Sequence, residues 1–181
     1  MNVPVLTTER LTMRGFTNDD LDAFYPIISG EDQLKYFPAT VPQTRERVQE
    51  MIDRIGKHWE TKGYGLWAIT LRETGELLGR CGIMEIKDTG ETEIDFIFGR
   101  PYWNKGYATE AGRAAIRYGF EHLPVDFIVG IVHPDNGASQ RALSKLGLTR
   151  GERTRYFNMD CYRYVIDREG FRREYGKAAS H

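Results

Sequence analysis

The sequence has few cysteines, almost no net charge and no long apolar run. Cys81 and Cys161 are its two cysteines among 181 residues, and they do not form a Cys-x-x-Cys pair. That spacing argues against a zinc site, an iron–sulfur cluster or a disulfide framework, so we expect two ordinary thiols on strands and no bound metal. With 25 basic and 26 acidic residues, the net charge of -1 gives no global field that favours nucleic acid or a membrane surface.

Targeting segments and linkers are also missing from the pattern. No apolar stretch approaches the length of a membrane span, and Met1–Val5 lacks the basic stretch and apolar core of a signal peptide. We therefore expect a cytoplasmic protein. No repeat, low-complexity block or Pro/Gly/Ser-rich linker marks a boundary. One domain is predicted over 1–181, with a core at about 8–168 and a short C-terminal helix or tail at 169–181.

Hydrophobic periodicity predicts a mixed α/β order along the chain. An edge strand at Arg10–Phe16 precedes two helices, which begin after Thr17 and at Thr44. The later predicted elements are the strands Leu66–Leu71, Leu77–Ile86, Thr92–Phe98 and Phe127–Val132, the helices Ala108–Leu123 and Asn136–Leu146, and a last hairpin in which Tyr156–Phe157 and Tyr162–Ile166 flank Asn158–Asp160. One mixed sheet with helices on its faces satisfies this order, and Ala108–Leu123 is the crossover between two parallel strands.

The segment Arg100–Ala111 follows a predicted strand and leads into a helix. Gly106 permits a left-handed backbone, and Ala108 leaves space above the first helical turn. The first N–H groups of a helix lack intrahelical partners and the helix dipole favours an anion, so this turn suits a phosphate-bearing ligand. Lys105 adds a positive charge and Thr109 a hydroxyl. A glycine at a strand-to-helix turn is more often only a turn, so the residues alone leave both interpretations open.

The pattern Trp103-x-x-Gly106-x-Ala108 resembles the acetyl-CoA pyrophosphate loop of the GNAT superfamily of N-acetyltransferases, whose general form is Gln/Arg-x-x-Gly-x-Gly/Ala. Tyr102–Ala111 is similar to the branch of bacterial ribosomal-protein N-terminal acetyltransferases, and departs from its usual sequence at Asn104, where that branch has Gly. Asparagine tolerates the left-handed conformation that glycine would adopt. The resemblance implies that the cofactor is held by Trp103, Asn104, Lys105, Gly106, Tyr107, Ala108 and Thr109.

A second segment, Asn136–Ser139 followed by the helix end Leu146–Leu148, resembles the other cofactor segment of this superfamily. By that resemblance, Asn136 hydrogen-bonds the pantetheine arm and Ser139 lies near the thioester sulfur. From the residues alone, Asn136 is also a helix N-cap, and Ser139 is also a first-turn residue bonded to backbone. Thr8–Arg14 and Gly75–Gly79 match the same branch, so the resemblance covers about Thr8–Ile166.

The resemblance implies an α/β (α+β) fold and a reaction. The fold is one mixed, mostly antiparallel sheet of about seven strands, splayed between the fourth and fifth, with helices on both faces. The reaction is direct transfer of an acetyl group from acetyl-CoA to an amine acceptor, with no metal and no covalent enzyme intermediate. An oxyanion donor is implied on the backbone near Ile97 and Phe98. The expected assembly is a monomer or homodimer.

Glu93, Asp95, Ser139 and Tyr156 are the candidate catalytic residues. Glu93 and Asp95 share one face of a strand, and apolar neighbours should raise the pKa of Asp95. The branch usually has Glu at the position of Glu93 and often has Gly at that of Asp95, and we expect one of the two to be a solvated outer-face residue. Tyr156 stands where many members place an acid, although its aromatic hairpin also indicates packing.

Three classes of function remain open. The first is an N-acetyltransferase acting on a protein N-terminus, an amino acid, a polyamine or an aminoglycoside, with the loop Tyr36–Pro38 shaping the acceptor side. The second is a CoA-binding sensor or regulatory module without turnover. The third is a nucleotide-binding protein, which predicts a Gly-x-x-x-x-Gly-Lys-Ser/Thr sequence that the chain lacks.

Overall fold

The computed structural model describes residues 2–31, 35–36 and 44–176. These residues form one eight-stranded sheet in the order β1-β2-β3-β4-β5-β6-β8-β7. The strands are β1 (Leu6–Thr7), β2 (Leu11–Arg14), β3 (Leu66–Leu71), β4 (Leu77–Glu85), β5 (Thr92–Phe98), β6 (Phe127–Val132), β7 (Thr149–Tyr156) and β8 (Met159–Asp167). All neighbouring strands are antiparallel except β5 and β6, which run parallel.

The α-helices are α1 (Leu21–Ser29), α2 (Arg45–Lys62), α3 (Tyr107–His122), α4 (Gly137–Lys145) and α5 (Arg168–Tyr175). Their ends follow the local chemistry. Thr44 caps α2 by accepting a hydrogen bond from the Arg47 N–H at 3.3 Å, and Gly63 ends it at φ 75°. Helix α3 is the crossover between β5 and β6, as a parallel pair requires.

Two apolar clusters pack against opposite faces of the sheet. On one face, α3 packs with Ile94 and Phe98 of β5. On the other face, α1 and α2 pack with Ile97 of the same strand. Because side chains alternate along a strand, Glu93 and Asp95 lie on the face of Ile97, beside α1 and α2. The two candidate acids therefore face away from α3, which begins at the predicted phosphate-binding turn.

The mixed mostly antiparallel sheet is confirmed, and two strand predictions are corrected. The predicted edge strand Arg10–Phe16 is Leu11–Arg14, and Leu6–Thr7 adds a further short strand outside it. The last hairpin has its turn at Phe157-Asn158 rather than Asn158–Asp160, because Tyr156 pairs directly with Met159. The splay was predicted between the fourth and fifth strands. With the short β1 counted, these are the fifth and sixth strands, the parallel pair β5 and β6.

Candidate active-site cleft

The parallel strands β5 and β6 pair at one position, Glu93 opposite Val129, and separate beyond it. A cavity of about 860 Å³ lies at this separation and reaches the beginnings of α3 and α4. Its wall includes residues from both separated strands, both helix starts and the β7–β8 hairpin. One cleft therefore brings together the two segments that the sequence predicted to bind a cofactor.

The turn before α3 is built by two left-handed residues. Gly106 has φ 81° and stands at the N-cap position of α3. Asn104 has φ 58°, so it adopts the left-handed conformation that asparagine tolerates. Trp103 fixes the entry to the turn, because its indole Nε1 donates to the Phe98 carbonyl at 2.7 Å. The unpaired N–H groups of the first turn of α3 thus open toward the cleft, which suits a phosphate.

Six of the seven predicted loop residues line the cleft: Trp103, Asn104, Gly106, Tyr107, Ala108 and Thr109. The carbonyl of Lys105 instead accepts a hydrogen bond from Arg10 Nη1 at 2.9 Å on the far side of the loop. Two cations that sequence reasoning missed, Arg141 and Lys145, also line the cleft. Their i,i+4 spacing on α4 places them on one face of that helix, which is a signal the sequence does carry.

Asn136 and Ser139 lie together at the start of α4. The Asn136 Oδ1 accepts a hydrogen bond from the Ser139 backbone N–H at 3.1 Å, so Asn136 caps the helix. Both residues line the cleft, as do Gly137 and Ala138. The capping role of Asn136 is therefore confirmed, and its expected role at the cofactor stays a prediction that its place in the cleft allows.

The backbone N–H groups of β5 point alternately toward β4 and toward the gap where β5 separates from β6. Ile86 N–H donates to Glu91 O at 2.8 Å, and Gly99 N–H donates to Leu78 O at 2.9 Å. In an antiparallel ladder every second residue bonds to the same neighbour, so the Ile97 amide faces β4 and the Phe96 and Phe98 amides face β6. The side chain of Ile97 lines the cleft, but its N–H is directed away from the gap.

Glu93 lies where β5 and β6 separate, and its carboxylate accepts a hydrogen bond from the backbone of Ile131. Burial, reinforced by the Asp95 carboxylate, raises the pKa of Glu93 to about 8. Asp95 is held by Arg80 of β4, with 3.0 Å between Nη2 and Oδ2. Among the described residues, Glu93 has no arginine partner at this distance, so its buried carboxyl lacks the ion pair that holds Asp95.

Tyr156 points to a different partner from the one expected of an acid beside the sulfur. Its hydroxyl donates to Glu91 Oε2 at 2.6 Å, and Arg163 donates to Glu91 Oε1 at 2.8 Å. Burial and Glu91 raise the pKa of Tyr156 to about 12. The ring packs with Ile86, and the cleft wall is formed by other residues of the hairpin. Tyr156 thus anchors the β7–β8 hairpin to the segment before β5.

Around Glu93 and Asp95 the cleft also carries apolar side chains. Ile131, Phe157, Met159 and Cys161 line it, and Tyr36 packs near His133 with 5.5 Å between ring centroids. Phe37 and Pro38, which were predicted to shape the acceptor side with Tyr36, lie outside the described residues. Cys81 and Cys161 are free, buried thiols on β4 and β8.

In the described part of the chain, no group of three or more His, Cys, Asp or Glu residues is placed to hold a metal ion. No helix there is long and apolar enough to cross a membrane.

Comparison with known proteins identifies a family. Residues 10–149 match the family model described as an acetyltransferase (GNAT) domain. The Bacillus licheniformis protein named "Uncharacterized N-acetyltransferase p20" is 33% identical over 150 residues, which is 80% of this chain and 82% of that protein. A second relative, "Uncharacterized protein YkkB" of Bacillus subtilis (strain 168), is 32% identical over 156 residues, covering 84% of this chain and 90% of its own.

Solved structures share the fold. The acetyltransferase of Agrobacterium tumefaciens str. C58 superposes with a TM-score of 0.80 at 25% identity, over 93% of this chain and 96% of its own. The spermidine N-acetyltransferase of Vibrio cholerae, solved with CoA and spermine, gives 0.73 at 18% identity, over 91% and 99%. The ribosomal-protein-S5-alanine acetyltransferase of Vibrio fischeri gives 0.74 at 14% identity, over 91% and 96%. At such low identity, the last two show the fold alone.

Proposed function

Because the chain belongs to the GNAT acetyltransferase family, we propose that it transfers the acetyl group of acetyl-CoA to a primary amine by direct attack in a ternary complex. The observation that carries this proposal is the position of Glu93. Its carboxyl stands at the point where β5 and β6 separate, in the same cleft as the turn before α3 and the start of α4. A base at this point can meet an amine that approaches a thioester held between the strands.

The cofactor is proposed to lie across both helix starts. Its pyrophosphate binds the N–H groups of the turn around Gly106, where the helix dipole of α3 adds to their attraction. Arg141 and Lys145 supply positive charge for the remaining phosphate of CoA. The pantetheine arm enters between β5 and β6 and passes Asn136. Ser139, in the first turn of α4, is the proposed hydroxyl beside the sulfur.

The chemistry follows from these positions. The amine must lose a proton, and the Glu93 carboxylate accepts it directly or through a water molecule. The attacked thioester oxygen becomes an oxyanion, which a backbone N–H of β5 directed at the gap stabilises, with Phe96 the proposed donor in place of Ile97. The C–S bond then breaks, and the departing thiolate accepts a hydrogen bond from the Ser139 hydroxyl and a proton from water, while the protonated Glu93 returns its proton to the solvent. No metal is needed for any of these steps.

The acceptor proposed here is an α-amine at a protein N-terminus. A terminal amine has a pKa near 7.7–8.0, whereas an aliphatic ammonium has one near 10.4, so a terminal amine loses its proton to a carboxylate base more readily. A polyamine would bring several positive charges, whereas Arg80 already neutralises one of the two carboxylates here. We place the reaction in the cytoplasm, in a single-domain protein that acts as a monomer or homodimer without nucleic acid or membrane.

The test is release of free CoA from acetyl-CoA with a panel of acceptors: peptides with a free N-terminus, spermidine, amino acids and an aminoglycoside. We expect turnover with peptides, and a rate reduced by about 10²- to 10⁴-fold in Glu93→Gln. Saturable binding of acetyl-CoA with no turnover on any amine would support the sensor instead. Thermal stabilisation by ATP but not by acetyl-CoA would overturn the proposal as a whole.

A further inference from the structure

The tip of the β7–β8 hairpin contains a conformation that its sequence does not favour. Tyr156 pairs with Met159, so Phe157 and Asn158 alone make the turn. Their φ values are 53° and 61°, which are both left-handed. Two consecutive left-handed residues in a two-residue hairpin define a type I′ turn, for which Asn-Gly and Gly-Gly are the usual sequences. Asn158 fits this preference, whereas Phe157 contradicts it.

A phenylalanine in this conformation costs stability. The left-handed region brings the Cβ of a side chain too close to the following carbonyl oxygen, so it is unfavourable for phenylalanine. Asparagine offsets part of this cost through local hydrogen bonds, but a phenyl ring has no such compensation. A glycine at position 157 would make the same turn without strain. The hairpin therefore holds an aromatic ring, tilted against that of Tyr156 with 6.2 Å between centroids, at a position where glycine would suit the backbone better.

The position of the ring gives a reason for this cost. Val132, the last residue of β6, pairs with Tyr162, so the hairpin continues beyond the end of β6. Three steps along β8 lead from Tyr162 to Met159, and at about 3.3 Å each the turn begins roughly 10 Å past that last pair. Phe157 lines the cleft and stays 42% exposed, although apolar side chains such as Met159 and Ile131 lie on the same wall.

The hairpin is fixed by contacts on both sides of the tip. Tyr156 donates to Glu91, and Arg155 Nη2 donates to the Asn158 carbonyl at 3.1 Å across the turn. These bonds hold the backbone while the Phe157 ring remains open to the cleft. The backbone of Phe157 is strained and held in place, and its ring is exposed at the cleft. Such a ring forms a binding surface before the ligand arrives.

We propose that Phe157 is a specificity-determining residue that contacts an apolar group next to the amine of the acceptor. This inference rests on the proposed function and adds the acceptor's substituent to it. The wall formed by Phe157, Met159 and Ile131 is uncharged and suits an aliphatic or aromatic side chain on the carbon that carries the amine. Acceptors with a bulky apolar first residue are therefore preferred over those with glycine at that place.

The decisive variant is Phe157→Gly, because stability and specificity should change in opposite directions. The melting temperature should stay the same or rise, since strain is removed. The wild-type preference in kcat/KM for L-phenylalaninamide or L-leucinamide over glycinamide should fall about tenfold, with KM for acetyl-CoA unchanged. Phe157→Tyr should retain the preference. Asn158→Gly is the matched control: it relaxes the same turn and should leave the preference intact.

Several results would overturn the inference. They are a wild type without preference among the three amides, a preference that survives Phe157→Gly, a parallel rise in KM for acetyl-CoA, or a clear loss of melting temperature. If the wild type acetylates no amine, the proposed function fails separately. Calorimetry of L-phenylalaninamide binding to the CoA complex then decides the inference, which requires weaker binding to Phe157→Gly than to the wild type.

Discussion

Arg10 and Glu110, a hundred residues apart in the chain, form an ion pair with 2.7 Å between Nε and Oε2. The same Glu110 carboxylate accepts hydrogen bonds from the Arg10 backbone N–H and from the Thr8 hydroxyl. Arg10 also donates to the Lys105 carbonyl and lies over the Tyr107 ring at 4.5 Å. The turn between β1 and β2 thus packs behind the turn that we propose binds phosphate, and it neutralises a carboxylate in the first turn of α3.

We expect Arg10→Ala to raise KM for acetyl-CoA about 5- to 10-fold, with a smaller effect on kcat. Without Arg10, the negative charge of Glu110 weakens the attraction of the α3 start for the pyrophosphate. The double variant Arg10→Ala/Glu110→Ala should recover part of the affinity, because it removes that charge. Steady-state kinetics at low ionic strength measures both effects.

Arg72 provides the control for Arg10. Its Nη1 donates to the carbonyls of Thr8 and Glu9 in the same segment. Arg72→Ala therefore loosens the β1–β2 turn without changing charge at α3, and it should leave KM for acetyl-CoA nearly unchanged. If Arg72→Ala and Arg10→Ala weaken the cofactor equally, the role of Arg10 is only to hold the segment.

The pH dependence of the rate should report Glu93. Burial raises its pKa to about 8, so the carboxylate that accepts the proton forms only as pH rises through that value. We expect kcat/KM of the wild type to increase from pH 6 to about pH 9, and Glu93→Gln to lose the part of this rise that comes from the enzyme. The matched variant is Asp95→Asn, which removes the neighbouring charge that helps to raise the Glu93 pKa, and its profile should shift to lower pH.

Much of this arrangement could be predicted from the sequence. The strands Leu66–Leu71, Thr92–Phe98 and Phe127–Val132 have the predicted bounds, because their burial leaves continuous or alternating apolar patterns. The strand β7 was missed over Thr149–Arg155. All of these residues are exposed and most are charged or small, so no hydrophobic pattern distinguishes this edge strand from a loop.

The contacts at the candidate site that could not be predicted from the sequence have a similar cause. A sequence shows that Glu93 and Asp95 share a strand face, but it does not show that Arg80 on the adjacent strand takes Asp95 as its partner. The bond between Tyr156 and Glu91 spans 65 positions and depends on sheet order. The strain and exposure of Phe157 cannot be predicted from its residue type. A phenylalanine usually indicates packing, and only the geometry of the turn decides how far this one is exposed.

Gly106→Asp should weaken acetyl-CoA binding by roughly tenfold or more, because it adds both backbone strain in the turn and a negative charge near the pyrophosphate. The φ of 81° is unfavourable for most side chains, and a Cβ at Gly106 would approach Arg10 Nη2 at 3.3 Å. Gly106→Ala is the matched control because it carries the strain and the Cβ but no charge. Isothermal calorimetry should find Asp weaker than Ala at low salt and a smaller difference at high salt. Equal affinities for wild type and Gly106→Asp would place the pyrophosphate elsewhere.

Asn136 has a structural role and a proposed ligand-binding role, and two substitutions separate them. Asn136→Ala removes the cap of α4, which should cost about 1 kcal/mol and lower the melting temperature by about 2–4 °C. Asn136→Ser keeps a capping oxygen for the Ser139 N–H but loses the amide nitrogen, so it should melt close to the wild type.

If Asn136 binds the pantetheine arm, kcat/KM for acetyl-CoA should fall in Asn136→Ser about as far as in Asn136→Ala, despite the difference in stability. If the residue is only a cap, Asn136→Ser should keep full activity and Asn136→Ala should lose it only near its melting temperature. Comparing the two variants well below that temperature separates these outcomes, because the folded fraction is then close to one in both and any remaining loss arises at the cofactor.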